Sequence, residues 1–254
     1  MDAEGREVTI IKVCWISAGV SSFVAGWLAR DTVDEYIYID IADQHPDSMR
    51  FIKDCEKALG KPIQILRSEQ YHNVEECIRV FGGVRNVNNF FYPCTNWLKK
   101  RVRKRWEEAH AGEDITYVWG MDMNEQHRAD RLVEGIPQFE HQFPLIDKQL
   151  TKAEAHGILA SLGIKRPVMY DMGYSNNNCI GCVRGGIGYW NKIRVDFPEV
   201  FAQRARMERD IGNTMLHDAE GPIWLDELDP NRGKMANEIM DECDIFCYIA
   251  TERR

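Results

Sequence analysis

The sequence predicts an α/β fold in which helices cover both faces of a parallel sheet. From the start of the chain to about residue 122, apolar β-branched runs alternate with amphipathic helical patterns, which is typical of strand–helix–strand units. At 254 residues with 44% hydrophobic residues, the chain can bury a sizeable core. Its formal net charge of -8 argues against non-specific nucleic-acid binding over the whole surface and leaves room for a local basic groove.

The predicted elements follow in chain order, and each has its own pattern. The strands are runs of apolar and β-branched residues, as burial on both faces of a sheet requires. The helices are apolar on one face, and the second of them ends at Gly60, a residue type that readily adopts the left-handed conformation of a helix end. In order, they are a strand at "EVTIIKVCWI", a helix at "SSFVAGWLARD", a strand at "EYIYIDI", a helix at "DSMRFIKDCEKALG", a strand at "PIQILRS", a helix at "NVEECIRVF", a basic helix at "NWLKKRVRKRWEEAHAG" and a strand at "ITYVWGMD".

The regular alternation fades from about residue 142. The stretch "FPLIDKQLTKAEAHGILASLGI" predicts a short strand and then a helix capped by Thr151. Beyond Pro167, a loop-rich segment leads to a charged helix near Glu199 to Ile211 and a tail that ends in "DECDIFCYIA". We therefore expect a nucleotide-binding sheet domain over residues 1–150 and a loop-rich, helical cysteine region over residues 151–254.

The first predicted strand ends in "SAGVSS", residues 17–22, just where a helix begins. Ala18 and Gly19 are small enough for the backbone to approach an anion, and the amides and dipole of the helix N-terminus act at the same place. Ligands of such sheets lie beyond the carboxyl ends of the strands. The loop is therefore a candidate phosphate site, with an ordinary strand-to-helix turn as the alternative. The polar residues at these strand ends are Ser17, Ser21, Ser22, Asp40 and those between Gly120 and Glu125.

Eight cysteines in a chain that we expect to be cytosolic suggest metal or redox chemistry more than a disulfide framework. Three of them, Cys14, Cys55 and Cys77, fall within predicted strands or helices and are expected to fill the core. Four sulfurs at one centre suit tetrahedral zinc or an iron–sulfur cluster, and reduced cysteines without a metal are the alternative. The candidates are Cys94, the pair Cys179 and Cys182 in "CIGC", and the pair Cys243 and Cys247 in "CDIFC".

Six cations crowd the segment from Lys99 to Arg105, within "LKKRVRKRW". A solvated helix face is the ordinary interpretation, and the following Glu107 and Glu108 support it. A basic helix beside a nucleotide site would equally bind an anion or dock a polynucleotide. Both interpretations stay open, and an anion contact is favoured most at Lys99.

Several of these stretches together resemble one family. "SAGVSS" is similar to the Ser-Gly-Gly-x-Asp-Ser loop of the PP-loop ATP pyrophosphatases and the related phosphoadenosine phosphosulfate reductases, with Ala18 for the first glycine and Ser21 for the aspartate. "YIDIADQHPDSMRFIKDCEKALG" resembles the family's second strand and helix, and "FPLIDKQLTKAEAHGILASLGIKRPVMYDMGY" resembles the segment that closes its domain. "WGMDMNEQHRADRL" resembles the family's Gly-x-x-x-x-Glu-x-x-Arg stretch, matched here by Gly120, Glu125 and Arg128, with Met121 where an arginine is common.

The resemblance spans about residues 8–174 and implies a Rossmann-like fold of the adenine nucleotide α-hydrolase type. It implies that ATP or phosphoadenosine phosphosulfate is bound by Ser17, Gly19, Ser21, Ser22, Asp40, Gly120, Glu125 and Arg128. Adenylylsulfate-type reductases place a cysteine a few residues before a lysine and a Cys-x-x-Cys much later, and they hold a 4Fe–4S cluster. Cys94, Lys99 and the Cys179 pair follow that layout, although Pro93 and Thr95 stand where the family has an adjacent cysteine. A 4Fe–4S cluster is therefore expected rather than zinc.

The tail admits two roles for its sulfurs. "ECDIF" is similar to the Glu-Cys-Gly-Leu-His segment that carries the catalytic cysteine of sulfonucleotide reductases, which implies a catalytic Cys243, with Lys99 holding the substrate anion. Asp244 and Phe246 depart from that pattern. The alternative is that Cys243 or Cys247 is a metal ligand, and this is the role that we favour. Cys247 would then be the ligand beside Cys94, Cys179 and Cys182.

The resemblance implies an enzyme of sulfur metabolism similar to phosphoadenosine phosphosulfate reductase, and the short reductase-like proteins of bacteriophages are the most similar in outline. ATP-dependent sulfur transfer to nucleic acid and a non-catalytic nucleotide- or cluster-binding module are the alternatives; Ser21 and Met121 favour the module. The implied partners are an adenine nucleotide, a thiol or thioredoxin-like reductant or sulfur donor, and a nucleic acid on the basic helix. The acidic start "MDAEGRE" and the interrupted apolar run after it predict a cytoplasmic protein without a membrane partner.

Overall fold

The structure, a computed structural model, describes residues 9–84, 92–238 and 240. The strands are β1 (Ile10–Ile16), β2 (Glu35–Ile39), β3 (Ile63–Leu66), β4 (Asp114–Val118), β5 (Glu140–Gln142), β6 (Leu216–Asp218) and β7 (Gly221–Ile223). The α-helices are α1 (Val20–Leu28), α2 (Asp47–Leu59), α3 (Val74–Phe81), α4 (Pro93–Thr95), α5 (Arg101–Ala109), α6 (Gln126–Gly135), α7 (Pro144–Asp147), α8 (Lys152–Ser161), α9 (Val168–Asp171), α10 (Ile187–Asp196) and α11 (Pro198–Ile211). A π-helix (Asn96–Lys100) joins α4 to α5.

The described strands β1 to β5 form a parallel sheet in the order β3-β2-β1-β4-β5. β1 lies at its centre, where Cys14 is in register with Tyr36 on one side and Val118 on the other. Helices cover both faces of this sheet, so the predicted α/β fold is confirmed. The chain order reverses between β1 and β4, because β2 and β3 are added on one side and β4 and β5 on the other.

The side chains of β1 show why its run is apolar throughout. Val13 and Trp15 pack with Trp106 of α5 and Leu132 of α6 on one face, in a core that is largely inaccessible to water. The alternate residues Cys14 and Ile16 face the opposite core, which includes residues of α1, α2 and α8. Successive strand residues point to opposite faces, so a strand that is covered on both faces needs no polar side of its own.

Two predicted boundaries differ in the structure. The short strand expected at "FPLID" lies before it, as β5, and Pro144 instead begins the one-turn helix α7. Proline suits the first position of a helix because its φ is already helical and it lacks the N–H that would stay unpaired there. The cap at Thr151 is confirmed: its hydroxyl accepts from the Glu154 amide at 3.3 Å, and the Glu154 carboxylate accepts from the Thr151 amide at 2.7 Å.

The region after α9 has a core of its own around α10, α11 and the hairpin of β6 and β7. Trp190 and Leu225 are fully buried there, and Cys182 belongs to the same cluster. The helix α8 packs against α1, so its apolar side contributes to the core of the sheet. The domain boundary at residue 150 stays a prediction. None of the described helices combines the length and the apolar character that crossing a bilayer demands.

Candidate functional site at the crevice between β1 and β4

The reversal of strand order places a crevice at the carboxyl ends of β1 and β4, where ligands of open α/β sheets bind. The loop at residues 17–22 leaves β1 there, and Gly120 follows β4. The two segments touch: a Cβ atom on Gly120 would lie 2.4 Å from the Ser22 Cα and 2.6 Å from the Ser22 nitrogen. Only glycine allows this approach of the β4 exit to the first turn of α1.

The loop at residues 17–22 is held by its own hydroxyls. The Ser22 hydroxyl accepts from the Ser17 amide and donates to the Gly19 carbonyl, both at 3.0 Å. The Ser17 hydroxyl accepts from the Gly19 amide at 3.2 Å. Ala18, where the resembling family has glycine, adopts the left-handed conformation with φ 60°. Two of the three serines therefore fix the shape of the loop.

The first turn of α1 is poor in internal partners. Gly19 caps the helix without a side-chain hydrogen bond, and there is no acidic residue in the first turn. Within the described ranges, the amides of Ser21 and Ser22 donate to no acceptor, and the buried Ser21 hydroxyl has no hydrogen-bond partner. Unpaired amides at a helix N-terminus are the groups that bind phosphate and other anions.

A segment far along the chain closes this loop. The Asn177 side-chain amide donates to the Ala18 carbonyl at 2.9 Å and to the Ser48 hydroxyl at 3.0 Å. Asn177 is 5% exposed, and its Oδ1 has no partner in the described part of the chain. A cavity of about 10 Å³ remains beside the loop, enough for about one water. Its lining is Ser17, Gly19, Gln44, Lys99, Asn177, Asn178 and Cys179.

A second cavity, of about 20 Å³, adjoins the first and brings three predicted thiols together. Cys94, Cys179 and Cys182 all line it. Lys99 and Cys179 line both cavities, so they connect the phosphate-type loop to the thiols. Thr95 lines the thiol cavity too, and its buried hydroxyl has no hydrogen-bond partner in the described ranges.

The turn that carries Cys179 and Cys182 is held from two sides. The Ile180 amide donates to the Asp43 carbonyl at 2.8 Å, which fixes the turn to the segment after β2. The Tyr189 hydroxyl accepts from the Cys182 amide at 2.8 Å and donates to the Cys179 carbonyl at 3.2 Å. The two cysteines are 7% and 6% exposed, so this turn lies inside the protein.

The thiols of this cavity are candidate ligands of a metal or an iron–sulfur cluster. Three thiols at one cavity with an unpaired hydroxyl are a suitable donor set for either. Over residues 9–84, 92–238 and 240, however, no three His, Cys, Asp or Glu side chains are close enough to hold an ion. Binding would therefore require the sulfurs to move together. Cys243 and Cys247 lie outside the described residues, and their roles stay predictions.

The other predicted nucleotide residues lie apart from these two cavities. Asp40 pairs with Arg67 at 2.6 Å beside a separate cavity of about 150 Å³. The Glu125 carboxylate accepts from the Asp122 amide at 3.1 Å and pairs with Arg128, which is 3% exposed. Glu125 and Arg128 thus have a structural role in starting α6, whereas their role in binding nucleotide stays a prediction.

The cysteines expected in the core are there. Cys14, Cys55 and Cys77 are all inaccessible to water. Burial raises the pKa of Cys14 and of Cys77 to about 12. These thiols stay protonated at neutral pH and are poor nucleophiles and ligands, so they serve as controls for the thiols of the cavity.

The similarity of the chain to known proteins lies in structure rather than in sequence. No protein-family model matches the chain, and no curated protein matches it. Among solved structures, the chain is similar to the crystal structure of a phosphoadenylyl-sulfate (PAPS) reductase from Candida auris in a phosphate complex. The two share 14% sequence identity with a TM-score of 0.49, over 70% of this chain and 84% of that chain. The site is therefore interpreted from this chain's own residues.

Proposed function

We propose that the chain is an enzyme that binds an adenine nucleotide over residues 17–22 and handles sulfur at the adjacent thiols, as the phosphoadenosine phosphosulfate reductases do. One observation carries the proposal: Lys99 and Cys179 line both the cavity at the loop and the cavity of the thiols. A group attached to a phosphate bound at the loop would therefore face a cation and a thiol at once.

The nucleotide end of this site would work through the backbone. The amides of Ser21 and Ser22 would donate to phosphate oxygens, and Ser17 would act by shaping the loop. Lys99 would add a cation, and a hydrogen bond to a charged group stabilises binding by roughly 1.5–3 kcal/mol. Ser21 stands where the resembling family has a carboxylate. The loop therefore carries one negative charge less than the family's loop beside the bound phosphates.

The thiol end would hold a 4Fe–4S cluster or, as the alternative, zinc. Cys94, Cys179 and Cys182 would be ligands, with Cys247 or Cys243 from the tail as a fourth. A cluster with three protein thiolates would supply an iron open to sulfur. Cys243 would otherwise be the thiol that attacks the substrate sulfur, with a thioredoxin-like dithiol as reductant.

The thiol end is tested by anaerobic purification with iron and zinc analysis and a visible spectrum. Alanine at Cys94, Cys179 or Cys182 should each remove most of the metal, whereas alanine at the core residues Cys55 or Cys77 should leave the metal content of the folded protein unchanged. Equal metal in all five variants would exclude these three ligands.

The nucleotide end is tested by calorimetry with ATP and with phosphoadenosine phosphosulfate. Lys99→Ala should weaken binding by about tenfold or more, since it removes a charge-assisted contact. The matched control is Lys53→Ala on the exposed side of α2, which should bind as the wild type does. Unchanged affinity in Lys99→Ala would contradict the proposed phosphate position.

A second candidate function is ATP-dependent sulfur transfer to nucleic acid, and the basic outer side of the helix that carries Lys99 favours it. Sulfite release with a dithiol reductant indicates the reductase, whereas pyrophosphate release from ATP with sulfur incorporated into nucleic acid indicates transfer. Nucleotide binding with neither product indicates a non-catalytic module, which the missing carboxylate at Ser21 favours.

A further inference from the structure

The helical segment that carries Lys99 has a second side, which faces away from the thiols. On that side lies a groove of about 440 Å³, much larger than either cavity of the proposed active site. The loop at residues 68–70 forms one wall and the helical segment forms the other. The helical residues that line the groove are Asn96, Trp97, Lys100, Arg101, Val102, Lys104, Arg105 and Glu108.

The π-helix explains how one segment serves both sides. Its widened turn is closed by the Arg101 amide, which donates to the Asn96 carbonyl five residues back. Lys99 lies at the thiol cavity, whereas Lys100 and Trp97 lie at the groove. Such π-turns within helices are frequent at functional sites. The groove and the thiol site are thus separated by a single helical wall.

The charge of the groove has the opposite sign to that of the chain. Four of its lining residues are cations and two, Glu69 and Glu108, are carboxylates, which leaves a local charge of +2 on a chain of net charge -8. Glu69 pairs with Arg105, but both side chains are more than half exposed, and an exposed pair of this kind holds a cation only weakly. A polyanion can therefore replace that carboxylate.

One aromatic side chain, Trp97, lines the groove and packs against two others. The Trp97 ring has Tyr71 at 5.2 Å edge-on and Phe81 at 6.0 Å, measured between ring centroids. The Arg101 guanidinium lies 3.5 Å from the centroid of the Trp97 ring. Phe81 is 43% exposed, so this cluster reaches the surface.

Planar side chains of this kind recognise unpaired bases. Aromatic rings and arginine guanidinium planes stack on bases that are free of a duplex, while cations along a groove follow the phosphates. In a duplex the bases are already stacked on one another, so Trp97 would find no base to stack on. The combination of Trp97, Arg101 and a line of cations therefore favours a single strand.

We infer that this groove binds single-stranded nucleic acid, with phosphates at Lys100, Lys104 and Arg105 and a base at Trp97 and Arg101. The inference does not depend on which of the proposed functions is correct, because the groove contains no cysteine and does not contain Lys99. It holds for a reductase, for a sulfur transferase and for a module without catalysis.

The test is fluorescence anisotropy of the full-length chain with labelled single-stranded RNA and DNA of about 12 nucleotides, within the range that such sites cover. With three phosphate contacts, the affinity should fall about 20-fold between about 50 and 200 mM salt. Lys100→Glu/Lys104→Glu should reduce that salt effect to about threefold or less, because two of the three contacts are lost. No detectable binding at the lower salt concentration would overturn the inference.

The matched control is Lys53→Glu/Lys57→Glu, which makes the same charge change at the same spacing. These lysines are exposed on α2, which packs on the sheet face opposite to α5. The control should bind the strand nearly as the wild type does. An equal loss of affinity in both double variants would show that net charge alone causes the effect, and it would refute the groove as the binding site.

Two further arms identify the bound chemistry. Trp97→Leu should lower affinity for the strand by about 5- to 150-fold through lost stacking, and should leave binding of poly-glutamate unchanged. If poly-glutamate binds as tightly as the strand and Trp97→Leu changes neither, the groove is a site for acidic protein and the inference is wrong. Saturating ATP should not displace the strand; full displacement would place it in the nucleotide site instead.

Discussion

Replacing Gly120 by alanine should destabilise the protein through a single backbone contact. The added Cβ would lie 2.4 Å from the Ser22 Cα, whereas ordinary contacts of this type begin at 3.4 Å. The two segments would therefore have to separate by about 1 Å, and no side-chain rotation can relieve the clash, because the Ser22 atoms belong to the backbone. Overpacking of this kind costs about 1–3 kcal/mol, and we expect the upper end of that range.

The matched control is Gly157→Ala, which should change the stability in the opposite direction. Gly157 is an exposed residue within α8, and a Cβ added there meets nothing within 4 Å. Alanine is a better helix former than glycine, so Gly157→Ala should stabilise the protein by up to about 1 kcal/mol.

Urea unfolding of the two variants beside the wild type measures both effects, and thermal unfolding should show Gly120→Ala lower by roughly 6–12 °C. Nucleotide affinity should fall in Gly120→Ala, because the displaced residue carries an amide of the proposed phosphate site, and it should be unchanged in Gly157→Ala. A Gly120→Ala protein as stable as the wild type would refute the close approach of β4 to α1.

Two other predictions concern a buried arginine and a half-buried histidine. Arg204, which is 2% exposed, pairs with Asp43 and lies 3.3 Å from Glu75. Arg204→Met should cost about 3–5 kcal/mol, because it removes the cation from the largely buried Asp43 carboxylate. The exposed pair of Arg209 on the same helix is the control, and Arg209→Met should cost less than about 1 kcal/mol. Similar losses in the two variants, measured by denaturant unfolding, would contradict the buried pair. Desolvation lowers the pKa of His141, whose Nδ1 accepts from the Trp119 indole at 3.0 Å. In the unfolded chain, this histidine takes up a proton near the ordinary pKa of 6.5, whereas in the folded chain it does so only at a lower pH. The neutral His141 therefore contributes fully to stability above pH 6.5, and the contribution is lost as the pH falls through the lowered pKa. His141→Gln should therefore lose less stability than the wild type between about pH 7 and pH 5, and identical pH profiles would show that His141 does not contribute.

The central strands could be predicted because their burial on both faces leaves a long apolar run in the sequence. β5 and the hairpin of β6 and β7 could not, because each strand has only three residues and no periodic pattern distinguishes so short a segment from a loop. Their strand conformation depends on pairing with a neighbour, as β5 does along β4. The sequence pattern predicts strands that are buried on both faces, and it misses short strands whose conformation depends on pairing with a neighbour.

The same difference separates the predicted from the missed residues of the candidate site. The loop at residues 17–22 has a local signature of small and hydroxyl residues, and the structure shows it at the crevice where it was expected. Asn177 was not predicted, since its contact with Ala18 spans 159 residues of sequence. The run "SNNN" before Cys179 was the available signal, but an asparagine run is also typical of an ordinary turn.

The thiol turn depends on the sheet for its position. Asn177 is held by Ala18, after β1, and Ile180 is held by Asp43, after β2. Cys179 lies between these two anchors, and its place at both cavities therefore follows from the two neighbouring strand ends. The segment from β1 that would bind phosphate is thus one of the two that position the thiol. A boundary in the chain near residue 150 would divide the sequence into two regions, but it would not divide this site, because neither region alone contains both the loop and the cysteine that faces it.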